Sequence, residues 1–115
     1  MTAVPDSLKK LIDQFSKLPG VGKKTAERLS IYILKIGKKE ASDFSESINN
    51  LKNNIQTCQV CHSFTDDVCF ICNDPSRDEK IICVVEDPVD VFLIEKSGFK
   101  GMYHVLDGLI SPLDG

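Results

Sequence analysis

Residues 58–72 read Cys-Gln-Val-Cys-His-Ser-Phe-Thr-Asp-Asp-Val-Cys-Phe-Ile-Cys, two Cys-x-x-Cys pairs (Cys58/Cys61 and Cys69/Cys72) around a short insert. A Cys-x-x-Cys knuckle bends the backbone so that two thiolates point at one centre, and two facing knuckles complete the sulfur tetrahedron that Zn²⁺ prefers. The insert, with Ser63, Thr65, Asp66 and Asp67, has the composition of a turn. The spacing predicts one structural Zn²⁺ per chain, with every coordination position filled by cysteine and none open to water. The alternatives are two disulfides or a redox dithiol. Nothing in the chain points to an oxidising compartment, and a thiol-redox site needs one pair rather than two. His62 directly follows Cys61, but four thiolates already satisfy a metal, so it reads as a surface histidine near the site. Cys83, within Ile-Ile-Cys-Val-Val, lacks a partner spacing and reads as a small buried residue of a strand.

A second stretch with chemical content is Leu18-Pro19-Gly20-Val21-Gly22 followed by Lys23-Lys24-Thr25-Ala26-Glu27-Arg28-Leu29. Glycines at these positions leave the backbone N–H groups at the start of the following helix open, and with the helix dipole they form a site for a phosphate. Lys23 and Lys24 sit beside it and Arg28 one turn further on. The pattern looks like a helix-hairpin-helix motif, which holds nucleic-acid backbone without reading bases. The plainer reading is an ordinary interhelical turn with solvated lysines. Cations at a helix N-terminus are locally unfavourable, a cost that makes more sense if an anion arrives. A third chemical position, Glu86, lies at the carboxy end of a strand, where α/β folds place functional groups. By itself it reads as a solvated strand-end carboxylate, and His104 and Asp107 as packing and turn residues.

Several elements must position these groups. Asp6 or Ser7 is suited to cap a first helix in which Leu8, Leu11, Ile12 and Phe15 recur at helical spacing, ending near Lys17. Ala26, Leu29, Ile33 and Leu34 mark the inner face of a second helix, stopped by Gly37. A third is expected over residues 42–55, with Ala41, Phe44, Ile48, Leu51 and Ile55 on its buried face. After the cysteines, Ile81 to Val85 reads as a strand buried on both faces. Val89 to Lys96 follows as a short helix with Val89, Phe92 and Leu93 on one side, and Gly101 to Leu106 as a second strand. Strand, helix, strand is the opening of a parallel sheet, and two strands are too few to complete one.

The 115 residues suffice for about one ordinary domain or two to three very small ones, for which a metal staple is a sensible device. Net charge is −3, but it is unevenly spread. Residues 1–57 carry ten Lys/Arg against six Asp/Glu and residues 58–115 carry four against eleven, so a polyanion partner is expected for the first half only. Neither a signal peptide nor an apolar run of transmembrane length is visible, and cysteines used for metal fit a reducing cytoplasm.

Taken in order, the Leu18–Leu29 stretch, the four cysteines, Val84-Val85-Glu86 and the final run Tyr103-His104-Val105-Leu106-Asp107-Gly108-Leu109-Ile110-Ser111-Pro112-Leu113-Asp114-Gly115 resemble the bacterial RecR family of recombination mediators. The resemblance covers essentially the full chain. It implies an α+β multi-module fold, with a helix-hairpin-helix DNA-binding region over 1–56, a four-cysteine zinc finger over 57–73, and the amino-terminal part of a Toprim domain over 79–115. The Toprim sheet is then expected to be incomplete in this chain. It also implies a non-enzymatic role in recombinational repair, acting with RecO and RecF to load RecA onto gapped single-stranded DNA, in the cytoplasm at the nucleoid. Family members form ring-like tetramers. Carried over residue by residue, Gly20, Gly22, Lys23, Lys24 and Arg28 would face DNA, with Lys35 a weaker candidate. Cys58, Cys61, Cys69 and Cys72 would hold zinc, and Glu86 would occupy the Toprim acidic position associated with partner binding. The rival readings are a Toprim-type Mg²⁺-dependent phosphoryl-transfer enzyme, for which no Asp-x-Asp follows Glu86, and a zinc module serving protein contacts only.

Overall fold

The structure, a computed structural model, describes residues 3–106. It is α+β and divides into two compact units, Met1–Asn49 and Asn50–Gly115.

In the first unit, α1 (Asp6–Ser16) packs against α2 (Lys23–Lys35). Helix α1 starts one residue earlier than its sequence suggests. Pro5 takes the N-cap position, with no side-chain cap, and Lys9 N–H donates to Pro5 O at 3.0 Å. Asp6 instead sits in the first turn, where its charge complements the helix dipole. The helix tightens at its end, where Leu18 N–H donates to Phe15 O at 3.1 Å. The chain then reverses through Leu18-Pro19-Gly20-Val21, closed by Val21 N–H to Leu18 O at 3.1 Å. Proline at the second position and Gly20 at φ +77° at the third are what a type II turn requires. Ile12, Ala26 and Ser30 are buried at this helix pair, and the Ser30 hydroxyl donates to Ala26 O at 2.8 Å, so no polar group is stranded there. The expected face of α2 is corrected by this packing: the i, i+4 pair Ala26/Ser30 is innermost, whereas Leu29 and Leu34 are exposed.

Helix α3 (Lys38–Asn54) begins at Lys38 rather than near residue 42, its first turn closed by Ala41 N–H to Gly37 O. Its apolar stripe is present but not buried. Phe44, Ile48 and Leu51 are 49–58% exposed, and no residue of α3 is buried. Helical spacing identifies an apolar face, but only a partner surface buries it.

In the second unit, β1 (Gln56–Thr57) and β2 (Phe64–Thr65) form a short antiparallel hairpin. Strands β3 (Asp78–Val85) and β4 (Gly101–Val105) pair in parallel, with α4 (Pro88–Glu95) between them in sequence. Asp87 caps α4 by accepting from Val89 N–H at 2.9 Å, and Pro88 occupies the first turn, where its missing donor costs nothing. The register slips between Asp78 and Ile82, and β4 opens there with Gly101. A Cβ on Gly101 would lie 2.6 Å from Ile81 O, so this close approach needs glycine. Val91, Tyr103 and Val105 form the core, joined by Ile71, Cys83, Val85, Ile94 and Phe99. Two expectations are corrected here. Strand β3 is covered on one face only: Cys83 and Val85 pack inward, while Ile82 and Val84 remain about 60% exposed. In α4 the inner residues are Val91 and Ile94, and Val89, Phe92 and Leu93 face outward. No helix among the described residues is long and apolar enough to cross a membrane.

Candidate metal centre and nucleic-acid interface

The β1–β2 hairpin brings the first knuckle together. Cys58 N–H donates to Ser63 O at 2.8 Å and His62 N–H donates to Cys58 O at 2.9 Å, which folds Cys58 and Cys61 onto one side. His62 takes φ +66°, a left-handed position that histidine tolerates better than most residues. It is half-buried rather than a plain surface residue, and its ring meets His104 edge-on at 5.5 Å. The second knuckle is closed by Asn73, whose backbone N–H and side-chain Nδ2 both donate to Cys69 O, at 3.1 and 2.9 Å. All four sulfurs lie within 4.8 Å of one another. Across the knuckles, Cys61 and Cys69 are 3.6 Å apart and Cys58 and Cys72 are 3.9 Å apart. A tetrahedron with metal–sulfur bonds of about 2.3 Å has sulfurs about 3.8 Å apart, whereas a disulfide needs about 2.05 Å. The four cysteines are therefore free thiols grouped as a metal site would need them, with Cys61 and Cys69 buried and Cys58 and Cys72 half-buried.

The cluster is electrostatically uneven. Burial opposes ionisation of Cys58, but the backbone N–H groups of Cys61 and Val60 point at its sulfur, and with the Cys61 and Cys72 thiols they bring it down to about 6. Burial instead pushes the Cys69 and Cys72 thiols up, and the nearby Cys61 adds to both. Metal ligation requires thiolates, so a bound cation would offset the charge that burial opposes at Cys69 and Cys72. The Cys61 thiol donates to Ser63 Oγ at 3.1 Å.

The hairpin is not an independent bead. Cys61 O accepts from Val105 N–H of β4 at 2.8 Å, and Ile71, inside the second knuckle, packs into the Val91/Tyr103/Val105 core. A few residues on, Arg77 Nη2 donates to Glu95 Oε1. Its Nη1 donates both to Glu95 Oε2 and to Gly101 O, each at 3.0 Å. Tyr103 OH donates to Glu95 Oε2 at 2.6 Å. The guanidinium holds the Glu95 carboxyl below its usual range, and burial together with that carboxylate pushes the Tyr103 hydroxyl well up. Arg77 Nε, buried without a hydrogen bond, has Asp74 Oδ2 at 3.5 Å. Sequence reasoning missed this cluster. Its members lie 18 and 26 positions apart along the chain and follow no short motif.

In the first unit, Gly22 is the N-cap of α2 and offers no side chain to accept hydrogen bonds. The first intrahelical bond runs from Ala26 N–H to Gly22 O at 2.9 Å, so the N–H groups of Lys23, Lys24 and Thr25 have no partner within the helix. Lys23, Lys24 and Arg28 are all exposed, and Arg28 reaches back to Thr25 Oγ1 at only 3.5 Å. Gly20 and Gly22 have open space where a Cβ would stand. Glu86 lies in the bend immediately after β3 and is exposed. His104, in β4, is exposed apart from its contact with His62, and Asp107 lies outside the described residues. The cysteines are brought together; the α2 start and Glu86 belong to different units.

Comparison with known proteins gives two family matches: RecR helix-hairpin-helix over residues 8–52, and a Toprim domain over residues 80–115. Over 113 residues the chain is 51% identical to a protein of Pelodictyon phaeoclathratiforme named recombination protein RecR, covering 95% of this chain and 55% of that protein. A protein of the same name from Desulfatibacillum aliphaticivorans is 50% identical over 117 residues, covering 100% of this chain and 59% of its own length. The chain thus spans a little over half the length of these relatives.

Proposed function

The chain belongs to the RecR family of recombination proteins, and from that premise we propose that it is a DNA-handling mediator of recombinational repair rather than an enzyme. The observation that carries this reading is an identity of 50–51% to recombination proteins over nearly every residue. In this reading Lys23, Lys24 and Arg28 flank a phosphate held by the open N–H groups of α2, and Gly20 and Gly22 let the backbone approach it. Cys58, Cys61, Cys69 and Cys72 hold one Zn²⁺ as a scaffold, for which the sulfur spacing is the support. Zinc there fastens the two knuckles and supplies no reaction, because four thiolates leave it no open position. Glu86 contacts a protein partner in this reading, which its exposure just after β3 supports. The partners of the whole protein are DNA, RecO and RecF. Its task is to help load RecA on gapped single-stranded DNA as part of a ring-like tetramer, in the cytoplasm.

The test is fluorescence anisotropy of labelled single- and double-stranded DNA across a salt series, with zinc content measured on the same sample. Binding indifferent to base sequence is expected, with a salt slope that falls by roughly one for each contacting lysine replaced. Binding unchanged in Lys23→Glu with Lys24→Glu would remove the DNA-contact reading. Mg²⁺-dependent DNA cleavage lost on Glu86→Gln would replace it with the phosphoryl-transfer alternative.

A further inference from the structure

Between the zinc-knuckle hairpin and α4 lies a groove of about 320 Å³. Its walls are Ile55, Phe64 and Phe70 on the hairpin side and Phe92 on α4, with the Arg77–Glu95 pair at its base and Asp66 at its rim. The Phe64 and Phe92 rings stand 6.4 Å apart across it. These side chains are exposed: Phe64 by 40%, Phe92 by 48% and Phe70 by 89%. Single exposed apolar residues are ordinary on protein surfaces, but three phenylalanines converging on one concave site are not.

Charge decides what the groove fits. Residues 56–73, which include both knuckles, contain Asp66 and Asp67 and neither Lys nor Arg. Residues 50–115 carry eleven Asp/Glu against five Lys/Arg. The one cation in the groove, Arg77, is already matched by Glu95 and Asp74. Exposed aromatic rings on a zinc knuckle could stack nucleic-acid bases, but base-stacking surfaces track the phosphate chain with cations, and this surface has the opposite sign. An apolar cleft whose one unpaired charge is the Asp66 carboxylate, on a surface poor in cations, is complementary to a basic protein segment. We propose that this groove is a docking site for a segment of another protein that inserts one large apolar side chain and flanks it with Lys or Arg. The surface shares no residue with the α2 start or with Glu86, so it stands apart from the contacts proposed above.

The test uses the zinc-loaded chain and three fluorescein-labelled twelve-residue peptides. One has a central Trp-Leu pair among lysines, the second carries the same pair among glutamates, and the third replaces the pair by Ser-Ser among lysines. Labelled oligo-dT serves as a fourth probe. Only the first peptide is expected to bind, with affinity falling about ten-fold or more in Phe70→Ser. It should also fall, with a weaker salt dependence, in Asp66→Asn. Phe70 is almost fully exposed, so an unchanged zinc content and circular dichroism spectrum are expected of Phe70→Ser. The Asp66→Asn variant tests the same site without touching an apolar residue. Three outcomes overturn the proposal: equal binding of the lysine and glutamate Trp-Leu peptides, no peptide binding, or oligo-dT binding that Phe70→Ser abolishes. A self-associated chain that Phe70→Ser converts to monomer in sedimentation velocity would also overturn it, because the groove would then be occupied by a second copy.

Discussion

The turn that opens α2 and the turn that carries Cys58 both concentrate backbone N–H groups at one point, and they use them in opposite directions. At Cys58 the N–H groups of Val60 and Cys61 close on a sulfur of the same turn and favour its thiolate. At α2 the N–H groups of Lys23, Lys24 and Thr25 have no partner within the helix, Gly22 contributes no side-chain acceptor, and two lysines add positive charge where the helix dipole is already positive. One device, an N–H-rich turn, meets an acceptor of its own at Cys58 and none within its helix at α2.

The comparison breaks most sharply at the metal. Cys61 O accepts from Val105 N–H and Ile71 lies in the Val91/Tyr103/Val105 core, so the cysteine site is tied directly to the β3–β4 sheet. With zinc bound as proposed, its removal by a chelator should cost on the order of 10 kcal/mol of folding energy. Protection of β3, α4 and β4 amides from hydrogen exchange should be lost with that of the hairpin, while α1 and α2 keep theirs. Retained protection in β4 after loss of the metal would show that the hairpin is merely attached to the sheet.

A smaller effect is expected at Glu95. Replacing its carboxylate by Glu95→Gln removes the charge-assisted bonds to Arg77 and leaves a buried guanidinium facing an amide, a loss of about 2 kcal/mol at neutral pH. The carboxyl is held below its usual range in the folded chain. Its contribution is therefore complete above the unfolded value of about 4.3 and is lost as pH falls through the depressed folded value. Urea melts of the two proteins should differ most near pH 7 and converge only as pH falls below the depressed folded value. A difference that stayed constant into acid would mean that the pair acts through packing rather than charge.

What could be read from the residues alone follows the same division. The metal site was legible because its ligands are contiguous: two knuckles fifteen residues from end to end fix which sulfurs meet, whatever the rest of the chain does. The helix-hairpin-helix was legible because Pro19 suits the second position of its turn and Gly20 takes the positive φ of the third. Strand, helix, strand was legible from a β-branched run and well-placed glycines. Burial was not. Phe44, Ile48 and Leu51 have helical spacing yet stay exposed, and Ile82 and Val84 have the composition of a doubly covered strand yet are covered on one face. Periodicity says which side chains share a face, and only the neighbouring surface says whether the face is buried. The Arg77–Glu95–Tyr103 cluster was invisible for a related reason: its partners meet only after the sheet forms.

The α2 start is where the smallest energetic change separates the two kinds of turn best. Lys24 sits in the first helical turn, exposed, beside unpartnered N–H groups. Lys24→Glu replaces an unfavourable charge–dipole contact by a favourable one, so the helix pair should gain about 0.3–1 kcal/mol at low salt, and less as salt rises. If the turn existed only to join two helices, this gain would come with no loss elsewhere. If the turn exists to hold a phosphate, the more stable variant must bind DNA less well, since the glutamate occupies the anion's place and repels its neighbours. Thermal melting and DNA anisotropy on the same protein read the two effects separately, and they should move in opposite directions. A variant that is both more stable and undiminished in binding would put the DNA contact somewhere other than the α2 start.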